Sequence, residues 1–146
     1  MTTKLSTASS KIFVDTSWLK AFLDPEDDFH QQSEQQYEKM KGRNAHLITT
    51  NYIVDETLTL LRVRKNLEIS LQFRDMLLEM SHALKLIRIT SQDESKAWEW
   101  FPKPWSKLSF TDCTSFAVIR RLDLVTVATF DDHFARAGFK IFGTIT

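Results

Sequence analysis

Five short runs rich in β-branched and aromatic residues punctuate this sequence, and the stretches between them carry helical periodicity. Alternation of this kind narrows the fold sharply, because neighbouring parallel strands must be joined by a crossover, usually a helix. The runs are KIFVD (11–15), HLITT (46–50), LKLIRIT (84–90), VTVATF (125–130) and KIFGT (140–144). Between them the spacing predicts a short helix over 17–23, a polar helix over 29–41 ending near Gly42, and a long helix from Asn51, read as its N-cap, to about Lys65. Further helices are expected over 67–83, over 109–122 and over 132–137. The segment bearing Trp98, Trp100 and Trp105 is read as broken by Pro102 and Pro104. The expected fold is α/β, one domain with a central, mostly parallel sheet of about five strands and helices on both faces.

At 146 residues there is room for one ordinary domain, assigned to 11–146, with residues 1–10 as a flexible Ser/Thr-rich extension. The extension lacks the apolar stretch of a signal peptide, and no run of about 18 apolar residues suggests a membrane span. A single cysteine, Cys113, cannot form an internal disulfide and is read as a buried structural thiol, in keeping with a cytoplasmic location. The formal net charge of zero argues against a protein that holds nucleic acid by bulk positive charge alone. It leaves open a nuclease whose acidic site binds cations. With only three glycines the chain has no glycine cradle for a nucleotide, and it has no HExxH, GxSxG or CxxC.

What remains is a set of acids in particular places. Asp15 and Asp131 each follow directly on a strand, and in an open parallel sheet the crevice beyond the strand C-termini is where ligands bind. Two carboxylates aimed into one crevice repel unless a cation joins them, although a lone strand-end Asp also serves as a helix N-cap. Asp112 stands three residues after Ser109, the spacing of a capping box. Glu56 lies one turn from Ile53 and from Leu60, at the edge of an apolar stripe, where it needs either an arginine or a cation. Asp55 points to another face and reads as solvated. Oxygen ligands without histidine or cysteine spacing favour Mg²⁺ or Mn²⁺ over zinc, and carboxylates with such ions suit phosphoryl transfer. His133 is expected at the surface, since no second ligand is spaced to match it.

Four motifs together carry a family resemblance. KIFVDTSWLKAFLD resembles the opening of PIN domains, and NYIVDETLTLLR resembles their second motif. LSFTDCTSFAVIRRL followed by VTVATFDDHFARAGF is similar to VapC-like toxins of type II toxin–antitoxin pairs. The likeness runs from Lys11 over nearly the whole chain. It implies metal-binding acids at Asp15, Glu56, Asp112 and Asp131, a hydroxyl from Thr16 or Ser17 near the first, and one from Ser109 or Thr111 near the third. It also implies one or two Mg²⁺ or Mn²⁺ ions, endonucleolytic cleavage of RNA, a homodimer, and inhibition by a cognate VapB-like antitoxin. Asp132 departs from the family's usual basic or polar residue and is left as a further ligand or an outer-shell group.

Basic residues close two helices, Arg62, Arg64 and Lys65 in one, Arg120 and Arg121 in the other; there they complement the helix dipole or contact RNA phosphates. The tryptophans either pack a loop or dimer face or stack on bases. Competing readings are a housekeeping RNA-processing PIN nuclease, a PIN-like fold that only binds RNA or protein, and a phosphoacceptor signalling domain. The last needs an acid pair after the first strand and gives Glu56 no place.

Overall fold

The structure, a computed structural model, describes residues 10–143. Its elements run in the order β1 (Lys11–Val14), α1 (Thr16–Leu23), α2 (His30–Gly42), β2 (His46–Thr50), α3 (Asn51–Arg64), α4 (Leu67–Glu79), β3 (Leu84–Ile87), α5 (Ser91–Trp100), α6 (Phe110–Arg121), β4 (Thr126–Ala128), α7 (Asp132–Arg136) and β5 (Lys140–Ile141). The strands form one sheet in the order β3-β2-β1-β4-β5, and every pairing is parallel. Consecutive Ile12, Phe13 and Val14 are all buried. Alternate side chains of a strand point to opposite faces, so such a run requires cover on both sides of the sheet.

One face is closed by an aromatic stack: Phe13 meets Phe134 of α7, and Phe134 meets Phe116 of α6 edge-on at 5.0 Å. In the layer built by α1 and α2, Trp18 stacks on Phe22 and donates its indole N–H to Gln36 Oε1 at 2.8 Å, so its polar edge stays satisfied in the core. No helix among the described residues is long and apolar enough to cross a membrane. Cys113 is buried, and burial, with the Asp112 charge adding to it, pushes its thiol up to about 11, which suits an inert structural role.

Several boundaries differ from the sequence reading for local reasons. The expected N-terminal extension lies outside the described residues except for Ser10, which is buried and whose carbonyl accepts from His46 N at 2.8 Å. Helix α3 is capped by Thr50, which accepts from Ile53 N; Asn51, expected as the cap, instead accepts from Ile89 N at 2.8 Å and ties down the exit of β3. Helix α4 stops at Glu79 and residues 80–83 turn into β3.

The largest difference is α5, a full helix where the sequence reading placed a broken segment. A capping box starts it: Thr90 Oγ1 accepts from Asp93 N at 3.1 Å while Asp93 Oδ2 accepts from Thr90 N at 3.0 Å. Pro102 and Pro104 fall after its last turn, where proline is tolerated. Asp93 also takes both arms of Arg121, Nε to Oδ1 at 2.8 Å and a terminal N to Oδ2 at 2.9 Å, clamping α5 to the end of α6. Thus Arg121 closes its helix by pairing across to another. Removing it leaves a buried carboxylate unpaired, so Arg121→Ala is expected to lower the unfolding free energy by about 1–3 kcal/mol, read from urea denaturation midpoints.

Candidate active site

The strand order places a topological switch between β1 and β4: the chain steps outward from β1 to β2 and β3, then returns to the other side of β1. Val14 pairs with Ala128, and Asp15 N donates to Ala128 O at 3.1 Å. The residues that leave these two strands, Asp15 and Thr129, are therefore held side by side.

Asp15 is buried at 2% exposure and accepts on one oxygen, Oδ2, from Ser17 Oγ and from Thr129 Oγ1, both at 2.8 Å. Ser17 is thus the hydroxyl on the first acid. Thr16 Oγ1 is buried with no hydrogen-bond partner among the described residues. Burial and then the charge of Asp112 raise the Asp15 carboxyl from the ordinary 3.8 to about 7, against the two hydroxyl bonds, which favour the ionised form.

Thr129 was not anticipated. It passes its acceptor side to Asp131 N (3.0 Å) while its hydroxyl hydrogen goes to Asp15, so one side chain links two of the acids. Asp131 caps α7, accepting from His133 N at 2.9 Å. Asp112 completes a capping box at the head of α6, accepting from Ser109 N at 3.2 Å while Ser109 Oγ accepts from Asp112 N. Its carboxyl is raised to about 6, first by burial and next by Asp131, with Glu56 adding to the rise. The capping reading of Asp112 and Asp131 holds, and the N–H groups of the helix starts are what hold these carboxylates in place.

His133 corrects the sequence reading most directly. It is buried, with Nε2 2.7 Å from the Ser106 carbonyl and Nδ1 3.1 Å from Asp112 Oδ2 and 2.9 Å from Asp131 Oδ1. A carbonyl only accepts, so Nε2 carries the hydrogen there. The ring lies nearly parallel to Trp105, at 10° and 6.4 Å. Burial opposes its charge, but the Ser106 carbonyl and the two carboxylates outweigh it and raise the imidazole above its ordinary value.

One ligand atom each from Asp112, Asp131 and His133 lie within 4.8 Å of one another. Asp15 couples electrostatically to Asp112 and Asp131, and Glu56 to Asp112. Of the four acids, Asp112 and Asp131 therefore meet in one cluster, and Asp15 and Glu56 bear on it through the charge of Asp112. Glu56 is half-buried and lines a groove with Thr111, Leu60, Val63 and Arg64. Asp132 is exposed, and Asp131 alone of the pair takes the hydrogen bonds at the start of α7. This donor set fits a hard divalent cation: it is dominated by carboxylate oxygen, and two of its acids are kept from ionising freely by burial and by one another.

A sheet with this switch point and acids at its crevice defines an α/β enzyme-like domain, and residues 12–140 match the PIN domain profile. The chain belongs to the PIN-domain family. Over 129 residues, 88% of this chain and 95% of the relative, it is 30% identical to the 23S rRNA-specific endonuclease VapC20 of Mycobacterium tuberculosis. The crystal structure of that protein, described as a sarcin–ricin loop cleaving toxin, superposes with a TM-score of 0.78 at 29% identity, covering 88% of this chain and 95% of that one. FitAcB from Neisseria gonorrhoeae (TM-score 0.62, 15% identity, 90% and 96% covered) and VapBC2 from Rickettsia felis bound to promoter DNA (0.62, 13%, 90% and 96%) share the fold.

A raised carboxyl makes the metal-free protein less stable as pH rises. Between about pH 4 and pH 7 the folded chain keeps a proton on Asp15 that the unfolded chain has lost, so stability falls across that window and stays low above it. Asp15→Asn removes the buried charge. In EDTA it is expected to melt several degrees above the wild type at pH 8, with the gap closing towards pH 4, as followed by circular dichroism.

Proposed function

We propose that this protein is a metal-dependent endoribonuclease, the toxin of a toxin–antitoxin pair, acting in the cytoplasm as a homodimer and restrained by a VapB-like antitoxin. What supports the reading most is the cluster of Asp112, Asp131 and His133 next to buried Asp15 in a PIN fold, with Glu56 acting on the Asp112 charge. The relatedness to a 23S rRNA-specific endonuclease over 95% of that protein's length supports RNA as the substrate. A housekeeping processing role has no feature in its favour, and with all four acids present the non-catalytic reading has none either.

Asp15, Glu56, Asp112 and Asp131 would hold one or two Mg²⁺ or Mn²⁺ ions. Such ions, when bound, lower the pKa of an attacking water and stabilise the leaving oxygen of an in-line displacement. The chain's own residues do the positioning. Ser17 and Thr129 fix Oδ2 of Asp15. The Ser109 backbone fixes Asp112, and the imidazole of His133, anchored on the Ser106 carbonyl, bridges Asp112 to Asp131. In-line attack at phosphorus tolerates little misplacement, so these bonds determine rate as much as affinity.

Purified chain incubated with total tRNA and rRNA should yield discrete fragments in Mn²⁺ or Mg²⁺ and none in EDTA. Asp112→Asn should lower the rate by about 100-fold or more, since even outer partners of a metal site cost 10–100-fold. A folded, antitoxin-free protein that cuts no RNA in either metal would contradict the reading.

A further inference from the structure

The surroundings of His133 leave one of its nitrogens pointing at the acids. The hydrogen on Nε2 goes to the Ser106 carbonyl at 2.7 Å, so Nδ1 is the atom that faces Asp112 Oδ2 at 3.1 Å and Asp131 Oδ1 at 2.9 Å. The ring has little freedom to turn away. It is buried, it lies nearly parallel to Trp105, and its own backbone N–H is bound by Asp131.

An imidazole that binds a metal through one nitrogen almost always gives its other N–H to a carbonyl or a carboxylate, which fixes the tautomer and aims the ring. Ser106 supplies that carbonyl here. The remaining nitrogen carries an electron pair and faces two carboxylate oxygens, and three electron-rich atoms stay together only with positive charge between them. One atom from each of the three residues lies within 4.8 Å of the other two. The two Nδ1 contacts also match the roughly 3 Å that separates neighbouring ligands on a sphere of about 2.1 Å radius. Among the described residues, no other histidine belongs to such a group.

A nitrogen in the donor set changes which ion the centre prefers. Mg²⁺ is a hard ion that takes oxygen, whereas the affinity of sites containing nitrogen rises along the first-row divalent ions from Mn²⁺ onwards. A centre built from carboxylates alone lacks this means of telling the ions apart.

We propose that His133 is a metal ligand as well as a strut between two acids: its Nδ1 joins Asp112 and Asp131 around one divalent cation and makes the centre select Mn²⁺ and later first-row ions over Mg²⁺. The inference rests on the metal-dependent nuclease reading above and adds one nitrogen donor to its four acids.

The test is Mn²⁺ binding to the full-length protein, read by calorimetry and by electron spin echo spectroscopy, which detects nitrogen bonded to the ion. The Mn²⁺-loaded wild type should show coupling to a directly bonded imidazole nitrogen, and the pattern should change in protein grown on isotope-labelled histidine. Carboxylates cannot supply that signal, and a spectrum of the wild type does not depend on whether a variant folds. His133→Ala should lose the coupling and bind Mn²⁺ about tenfold more weakly or worse. Its Mg²⁺ affinity should stay within about threefold of wild type. His133→Asn, which returns an oxygen near the place of Nδ1, should recover part of the Mn²⁺ affinity without the coupling. Mn²⁺ that binds the wild type and is lost in Asp112→Asn, yet shows no nitrogen coupling, would overturn the ligand and leave the nuclease reading standing. Equal losses of Mn²⁺ and Mg²⁺ affinity in His133→Ala would do the same and make the imidazole a strut alone. A wild type that binds neither ion would overturn both.

Discussion

The repulsion between carboxylates gathered at the β1–β4 switch point is the constraint around which the rest of this domain is arranged. Asp15 and Asp112 sit where burial and neighbouring charge both oppose ionisation, and their carboxyls rise to about 7 and about 6. A fold can hold such a cluster only by surrounding it with donors, and the donors here are the starts of three helices, two hydroxyls and one imidazole. Each helix start does two things at once: it satisfies its own free N–H groups and fixes an acid. The clamp between Asp93 and Arg121 belongs to the same arrangement, because it steadies the helix that carries Asp112.

Much of this was legible in the sequence because it is local. Asp15 follows directly on the first strand run, and helix starts such as Ser109–Asp112 are written within four residues. The parallel sheet of five strands followed from the alternation of β-rich runs with helical periodicity, whereas Glu56, expected to face inwards, is half-buried in the groove beside Thr111. What escaped has a common physical cause. Thr129 matters because parallel pairing brings it beside Asp15, 114 residues away in sequence, and nothing near Thr129 announces that. His133 has no second histidine or cysteine at metal spacing; besides Asp131, two residues before it, its partners are Ser106 and Asp112, reached only through tertiary packing. Helix α5 was hidden for a different reason. Two prolines drew attention to the end of the segment, while its start carried a readable Thr90–Asp93 capping box.

Net charge near zero also takes on a structural meaning. Asp15, Asp112 and Asp131 meet at the crevice, and several basic residues are committed elsewhere: Arg121 to Asp93, Arg120 over Trp100, Lys65 to Asp24 and Glu26. A formal charge of zero leaves little bulk attraction for a polyanion, which would read every phosphate alike.

The central claim is that the four acids form a single, mutually repelling cation centre, and thermal unfolding in a Mn²⁺ titration at pH 8 tests it most directly. A cation that binds the folded state alone raises its stability with concentration. The wild type should gain several degrees at millimolar Mn²⁺, and Asp15→Asn should gain clearly less, because its repulsion is already partly relieved and one ligand is gone. A wild-type melting temperature that does not respond to Mn²⁺, or an identical gain in Asp15→Asn, would contradict the claim.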